Sequence, residues 1–120
     1  DSLTGVNLFV CIAPQDPFQS DELLYMGRFL EEGGTLFFIG NGGWQLGNRV
    51  NDNINAAIAT LGSTIRTLNN IIYGTLKIAN TPLTKDLSSL TYITPSEVTV
   101  GDGTVLFAVG RKPFIVAKMR

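Results

Sequence analysis

The chain has 120 residues and a mass of 13.0 kDa, enough for one domain with one hydrophobic core. Apolar residues make up 44% and charged residues 16%, which excludes a disordered chain, and nine cations against ten anions leave a net charge of −1, too weak a field to attract nucleic acid. Histidine is absent and cysteine occurs once, as Cys11, so Ser-His-Asp and Cys-His catalysis, histidine or multi-thiolate metal sites and internal disulfides are excluded.

The first element is an apolar run, Val6 to Ala13 (VNLFVCIA), closed by Pro14. Such a run predicts a strand buried on both faces, as in a parallel sheet. Cys11 lies inside it and reads as a small buried hydrophobe rather than a reactive thiolate. After a loop at Pro14-Gln15-Asp16-Pro17-Phe18, Ser20 is the expected N-cap of a helix, with Asp21 and Glu22 facing the positive dipole end. Leu23, Met26, Phe29 and Leu30 recur at helical spacing, and Gly33-Gly34 supplies the stop. Thr35 to Ile39 (TLFFI) follows as a second short apolar strand, completing a strand–helix–strand unit expected to be parallel.

A glycine loop, Gly40-Asn41-Gly42-Gly43-Trp44, comes next. The second helix is expected from Asn48 or Asn51 to Leu61, with Val50, Ile54, Ile58 and Leu61 as its buried stripe and Gly62 as its end. Its asparagines (Asn48, Asn51, Asn53, Asn55) read as caps and a solvated face. Ile65 to Leu68 predicts a short strand, Asn69-Asn70 a turn, Ile72 to Ile78 an extended segment, and Pro82 to Leu87 one helical turn. Leu90 to Ile93, Glu97 to Val100, Thr104 to Val109 and Phe114 to Lys118 are β-branched runs, with hairpin loops expected at Gly101-Asp102-Gly103 and Gly110-Arg111-Lys112-Pro113. The expectation is a single α/β unit over residues 1–120, βαβα in 6–62 and β-rich in 63–120.

Two segments carry a family resemblance. Phe29-Leu30-Glu31-Glu32-Gly33-Gly34 running into Thr35-Leu36-Phe37-Phe38-Ile39-Gly40 resembles the class I glutamine amidotransferase-like superfamily. It is especially similar to the trehalose-utilisation-type and intraflagellar-transport-type branches. Asn80-Thr81-Pro82-Leu83-Thr84-Lys85-Asp86-Leu87 is similar to the "H-P-L-T-x-G-L" segment of those branches. The resemblance covers about residues 6 to 90. It implies a flavodoxin-like α/β fold, a three-layer parallel-sheet core with a C-terminal antiparallel strand and hairpin region. Asn41 stands about where active members carry the nucleophile-elbow Cys, and Thr81 where the second segment carries His. The resemblance therefore implies the scaffold without its Cys-His chemistry. The fold normally opens with a further strand and helix, which Asp1 to Gly5 cannot supply. The chain is expected to lack them, or to have the layer completed by a partner.

Gly40 to Gly43 is the leading site candidate, because open α/β sheets bind ligands at the carboxyl ends of their strands. Its glycines let the backbone approach a ligand or simply permit a tight turn. Trp44 could stack on a planar ligand or pack the loop. Gln15 and Asp16 follow the first strand and should share that sheet edge, with Asp16 a ligand carboxylate or a loop cap. The candidate ligand-binding residues are Gln15, Asp16, Asn41, Gly42, Gly43 and Trp44; no catalytic residue, metal ligand or cofactor is assigned.

The reading that follows is a non-catalytic ligand-binding or protein-interaction module of a larger protein. Its partners would be other domains of that protein, a second copy, or a small polar ligand, with no nucleic acid and no membrane insertion. The alternative is a carbohydrate-active or metal-assisted hydrolase completed by a neighbouring domain or chain. A third is a purely structural subunit whose missing layer comes from a partner. The Thr- and Asn-rich, Lys-poor composition (12, 9 and 4 residues) is frequent in secreted bacterial proteins, so an extracytoplasmic location is the expectation.

Overall fold

The computed structural model describes residues 5, 7–40, 48–90 and 95–118. Its elements run β1 (Leu8–Ile12), α1 (Ser20–Glu31), β2 (Thr35–Ile39), α2 (Arg49–Thr60), β3 (Arg66–Thr67), β4 (Leu76–Ile78), β5 (Val98–Thr99), β6 (Thr104–Val109) and β7 (Lys112–Ala117). This is a small α/β domain with two helices and mixed strands. β1 and β2 pair in parallel, β3 with β5 antiparallel, and β4, β6 and β7 form a three-stranded antiparallel sheet in the order β4-β6-β7. Among the described residues, β1 and β2 are the extent of parallel pairing.

The helix α1 forms where the spacing of Met26 and Phe29 predicts it, and both side chains are buried. Its cap is Gln19 rather than Ser20, which is the first helical residue. The Glu22 carboxylate accepts the Gln19 N–H at 2.9 Å, so the orphan amide is satisfied from within the first turn. The helix stops where Gly33 takes φ +92°, and Gly34 lies under the Phe29 ring: a Cβ there would come within 2.5 Å of it. No other residue permits so tight a passage from helix to strand. Phe18 packs edge-on against Phe38 of β2, with centroids 6.1 Å apart.

The strand β1 corrects the expectation of burial on both faces. Its side chains alternate between exposed and half-buried, as do those of β2. One face of the pair, with Phe9, Cys11, Leu36 and Phe38, is half-buried; the other is bare. The reason is layering: a parallel strand is covered on both sides only where a second layer packs on its far face.

Further on, the expected extended segment Ile72 to Ile78 narrows to β4. Residues 82–86 form hydrogen-bonded turns instead of a helical turn, with Thr84 N–H on Thr81 O at 3.1 Å and Leu87 N–H on Thr84 O at 2.9 Å. The expected strand Leu90 to Ile93 falls mostly on residues outside the described ones. The predicted hairpin between β6 and β7 turns on Gly110 and Arg111 alone, with Gly110 at φ +63°, and Lys112 and Pro113, expected in the loop, begin β7. Gly101-Asp102-Gly103 is not a hairpin loop. It carries the chain from β5, paired with β3, to β6, paired with β4 and β7. The core comprises Met26, Phe29, Val50, Ile54, Ala57, Ile65, Ile72, Phe107 and Val109.

Candidate functional site

The carboxyl ends of β1 and β2 are held together by a hydrogen bond from Ala13 N–H to Ile39 O at 2.8 Å. Ala13 adopts φ +47°, a left-handed conformation that strains a residue bearing a Cβ. The kink turns the chain off the strand into Pro14-Gln15-Asp16. Gln15 and Asp16 are exposed there. Asn41, Gly42, Gly43 and Trp44 lie outside the described residues.

What borders this edge is the amide-rich stretch of α2: Asn48 is its exposed N-cap residue, as expected, but for Asn51, Asn53 and Asn55 the expectation of a solvated face is overturned. Asn51 and Asn53 are 0% and 8% exposed. Asn51 Nδ2 donates to Leu68 O at 3.2 Å and to Asn69 Oδ1 at 2.8 Å. Asn53 Nδ2 donates to Pro14 O at 3.0 Å, tying the loop after β1 to the helix. Asn55 spans both bonding groups of Thr67: its Nδ2 donates to Thr67 O at 3.0 Å and its Oδ1 accepts the Thr67 N–H at 2.8 Å. A two-residue strand such as β3 lacks the length to hold itself on β5 alone, and Asn55 supplies bonds that a second neighbouring strand would. Asn51 also explains Gly40: a Cβ at Gly40 would lie 2.3 Å from Asn51 Oδ1. Gly40 is thus a glycine because an asparagine packs against it.

Sequence reasoning missed these asparagines as connectors, although a signal was present. On a helix of about 100° per residue, Asn51 and Asn53 flank the Val50-Ile54 stripe on its two sides. Polar residues bordering an apolar stripe reach buried backbone more readily than those opposite it.

A second polar cluster lies at the far end of the β-rich half. Asp102 accepts from Ser63 Oγ at 2.6 Å, from Thr64 N–H at 3.0 Å and from Lys118 Nζ at 2.7 Å. The hydrogen bond from Lys118, then that from Ser63, holds its carboxyl well below the usual carboxylate range. Lys118 Nζ also reaches Gly62 O at 3.3 Å. Gly101 sits so close to the Thr64 backbone that a Cβ would approach to 2.5 Å. This cluster clamps the turn after α2 to the end of β7.

Thr81 shares its hydroxyl with Thr84 at 2.8 Å. Thr84 is buried and donates to Ala79 O, organising the loop after β4. Both hydroxyls are engaged in the loop's own geometry. Burial, and secondarily the Glu22 charge, pushes the half-buried Cys11 thiol up, away from thiolate chemistry. Among the described residues no cluster of three His, Cys, Asp or Glu side chains could hold a metal ion, and no helix is long and apolar enough to cross a membrane.

The geometry instead offers a surface. Leu8, Val10 and Ile12 of β1 are 53%, 42% and 70% exposed, and Phe37 and Ile39 of β2 are 45% and 37% exposed. The register sets Val10 beside Phe37 and Ile12 beside Ile39, so all five share one sheet face.

No family model matches the chain. No curated protein matches it. The solved structure described as "mmIFT52 N-terminal domain" is similar to it in fold, with a TM-score of 0.71 at 20% identity. The match covers 94% of this chain and 60% of that one. This chain is therefore similar in fold to that domain and spans little more than half its length.

Proposed function

We propose that this chain is a non-catalytic ligand-binding or protein-interaction module of a larger protein, on a scaffold that resembles the flavodoxin-like glutamine amidotransferase-like fold. The bare apolar face of β1 and β2 carries this reading. Five large side chains stand exposed side by side on a parallel pair, while among the described residues the apolar side chains of β6 and β7 are half-buried or buried. A contiguous apolar surface of this kind marks an interaction site rather than a solvent face. Supporting it, the positions that resemble a Cys-His pair hold Asn41 and Thr81, and the single thiol is held protonated. The loop of Gln15 and Asp16, together with Asn41, Gly42, Gly43 and Trp44, is the proposed contact edge for a small polar ligand, at the carboxyl end of the strands.

Two measurements test the reading. The native chain should enhance the fluorescence of an apolar dye, and the double variant Ile12→Glu, Phe37→Glu should lose most of that signal. Glycoside, ester and amide substrates should show no turnover. Hydrolysis that survives Cys11→Ala and vanishes in Asn41→Ala would establish the hydrolase alternative in its place.

A further inference from the structure

We propose that Asp102-Gly103 is a latent modification site, a peptide bond that rearranges to isoaspartate once the grip of Ser63 and Lys118 on Asp102 is released. Of the six aspartates in the chain, Asp102 alone precedes a glycine. Glycine makes an aspartyl bond most reactive, because it has no side chain to hinder attack by its own backbone nitrogen. In the reaction the Gly103 nitrogen attacks Cγ of the protonated Asp102 carboxyl. A C–N bond forms and one water leaves, made of the carboxyl hydroxyl and the amide proton. The cyclic imide then takes up water again. Opening at the former main-chain carbonyl restores the mass but routes the chain through the side-chain carbon.

The fold cannot discard this pair. A Cβ at position 103 would lie 2.6 Å from Val116 Cγ1 and 2.7 Å from Ile65 Cδ1, so only glycine fits. Asp102 in turn ties the turn after α2 to the end of β7. The bonds that make it useful also restrain both reacting groups. Its Oδ1 accepts from Ser63 and Thr64 and its Oδ2 from Lys118, which keeps the carboxylate ionised and without a hydroxyl to expel. The Gly103 N–H donates to Val100 O at 2.8 Å, so the attacking nitrogen is held within its own turn. The guard lies at the surface, with the Asp102 and Lys118 side chains each 34% exposed, so it opens without the core opening. An isoaspartyl link lengthens the main chain by one carbon immediately before β6, in a place already too close for a methyl group.

The test ages the full 120-residue chain at pH about 5, below its melting temperature, and maps isoaspartate to its peptide. Asn41-Gly42 enters the same chemistry with loss of ammonia, and its product is told apart by its peptide and its mass. The reference rate is that of residues 98–108 as a free peptide. The native chain should form isoaspartate at Asp102 at least about tenfold more slowly than that peptide. Lys118→Ala and Ser63→Ala should each move the rate at least about threefold toward the peptide's. Asn55→Ala, which weakens the fold away from the clamp, should leave it unchanged. A native bond that reacts as fast as the peptide, or clamp variants that react no faster than the native chain, would overturn the proposal. So would an equal acceleration in Asn55→Ala, since general unfolding and not the clamp would then set the rate.

Discussion

Phe37 and Phe107 are both strand phenylalanines in the middle of apolar runs, yet the first is 45% exposed and the second 6%. Phe107 lies on β6, flanked by β4 and β7, and a tilted ring contact with Phe114 at 6.3 Å adds to its packing. Phe37 lies on β2, with one neighbouring strand and a far face that nothing among the described residues covers. The antiparallel sheet buries Phe107 and Val109 between its own strands, whereas the parallel pair leaves five apolar side chains exposed on one face. An apolar strand sequence therefore reports burial in the assembly for which it is suited, and that assembly can be larger than the chain.

The sharpest way to break this comparison is to truncate both rings. Phe107→Ala should cost about 3–5 kcal/mol in chemical denaturation, and Phe37→Ala less than about 1 kcal/mol. Equal losses would mean that the two halves are enclosed alike. Next in size is the connector between α2 and the segment after β3. Asn51→Ala should cost about 1–3 kcal/mol, because Leu68 O and Asn69 Oδ1 lose a buried donor. A loss near zero would show that water replaces the amide.

The smallest effect concerns the Asp102 clamp, and its sign follows from the depressed carboxyl. A group whose folded pKa lies below its ordinary value of about 3.9 contributes stability above that value and loses it as pH falls through the acid range. The wild-type chain should therefore be stabilised relative to Asp102→Asn at pH about 7, and the two melting temperatures should converge toward pH about 2. Because the group is exposed, the difference should be a few degrees at most and should shrink in high salt.

Much of the fold was legible in the residues. The strand–helix–strand unit announced itself through two apolar runs around a 3.6-residue period, and Gly33-Gly34 and Gly110 marked their turns through the conformations that glycine permits. The bare face was not legible, because periodicity reports a strand's appetite for burial and not whether the layer that satisfies it is present. The loop at Gly101-Asp102-Gly103 has hairpin composition, but the Asp102 side chain is committed to Ser63, Thr64 and Lys118, and contacts so distant in sequence leave no local pattern. Of the candidate site, the exposed positions of Gln15 and Asp16 followed from their place after a strand. The buried roles of the α2 asparagines were carried only by the places of Asn51 and Asn53 beside the apolar stripe, since their partners, Leu68, Asn69 and Pro14, are distant in sequence.

Those asparagines have a consequence for the conditions this protein tolerates. The bonds joining α2 to the loop after β1 and to β3 are made by neutral amides, which neither gain nor lose a proton in water near room temperature. No histidine is present to titrate between pH 5 and 8. The protein's central wiring is blind to the acidity of its surroundings across the range in which most proteins sense it, and acid strong enough to matter reaches the peripheral Asp102 clamp instead.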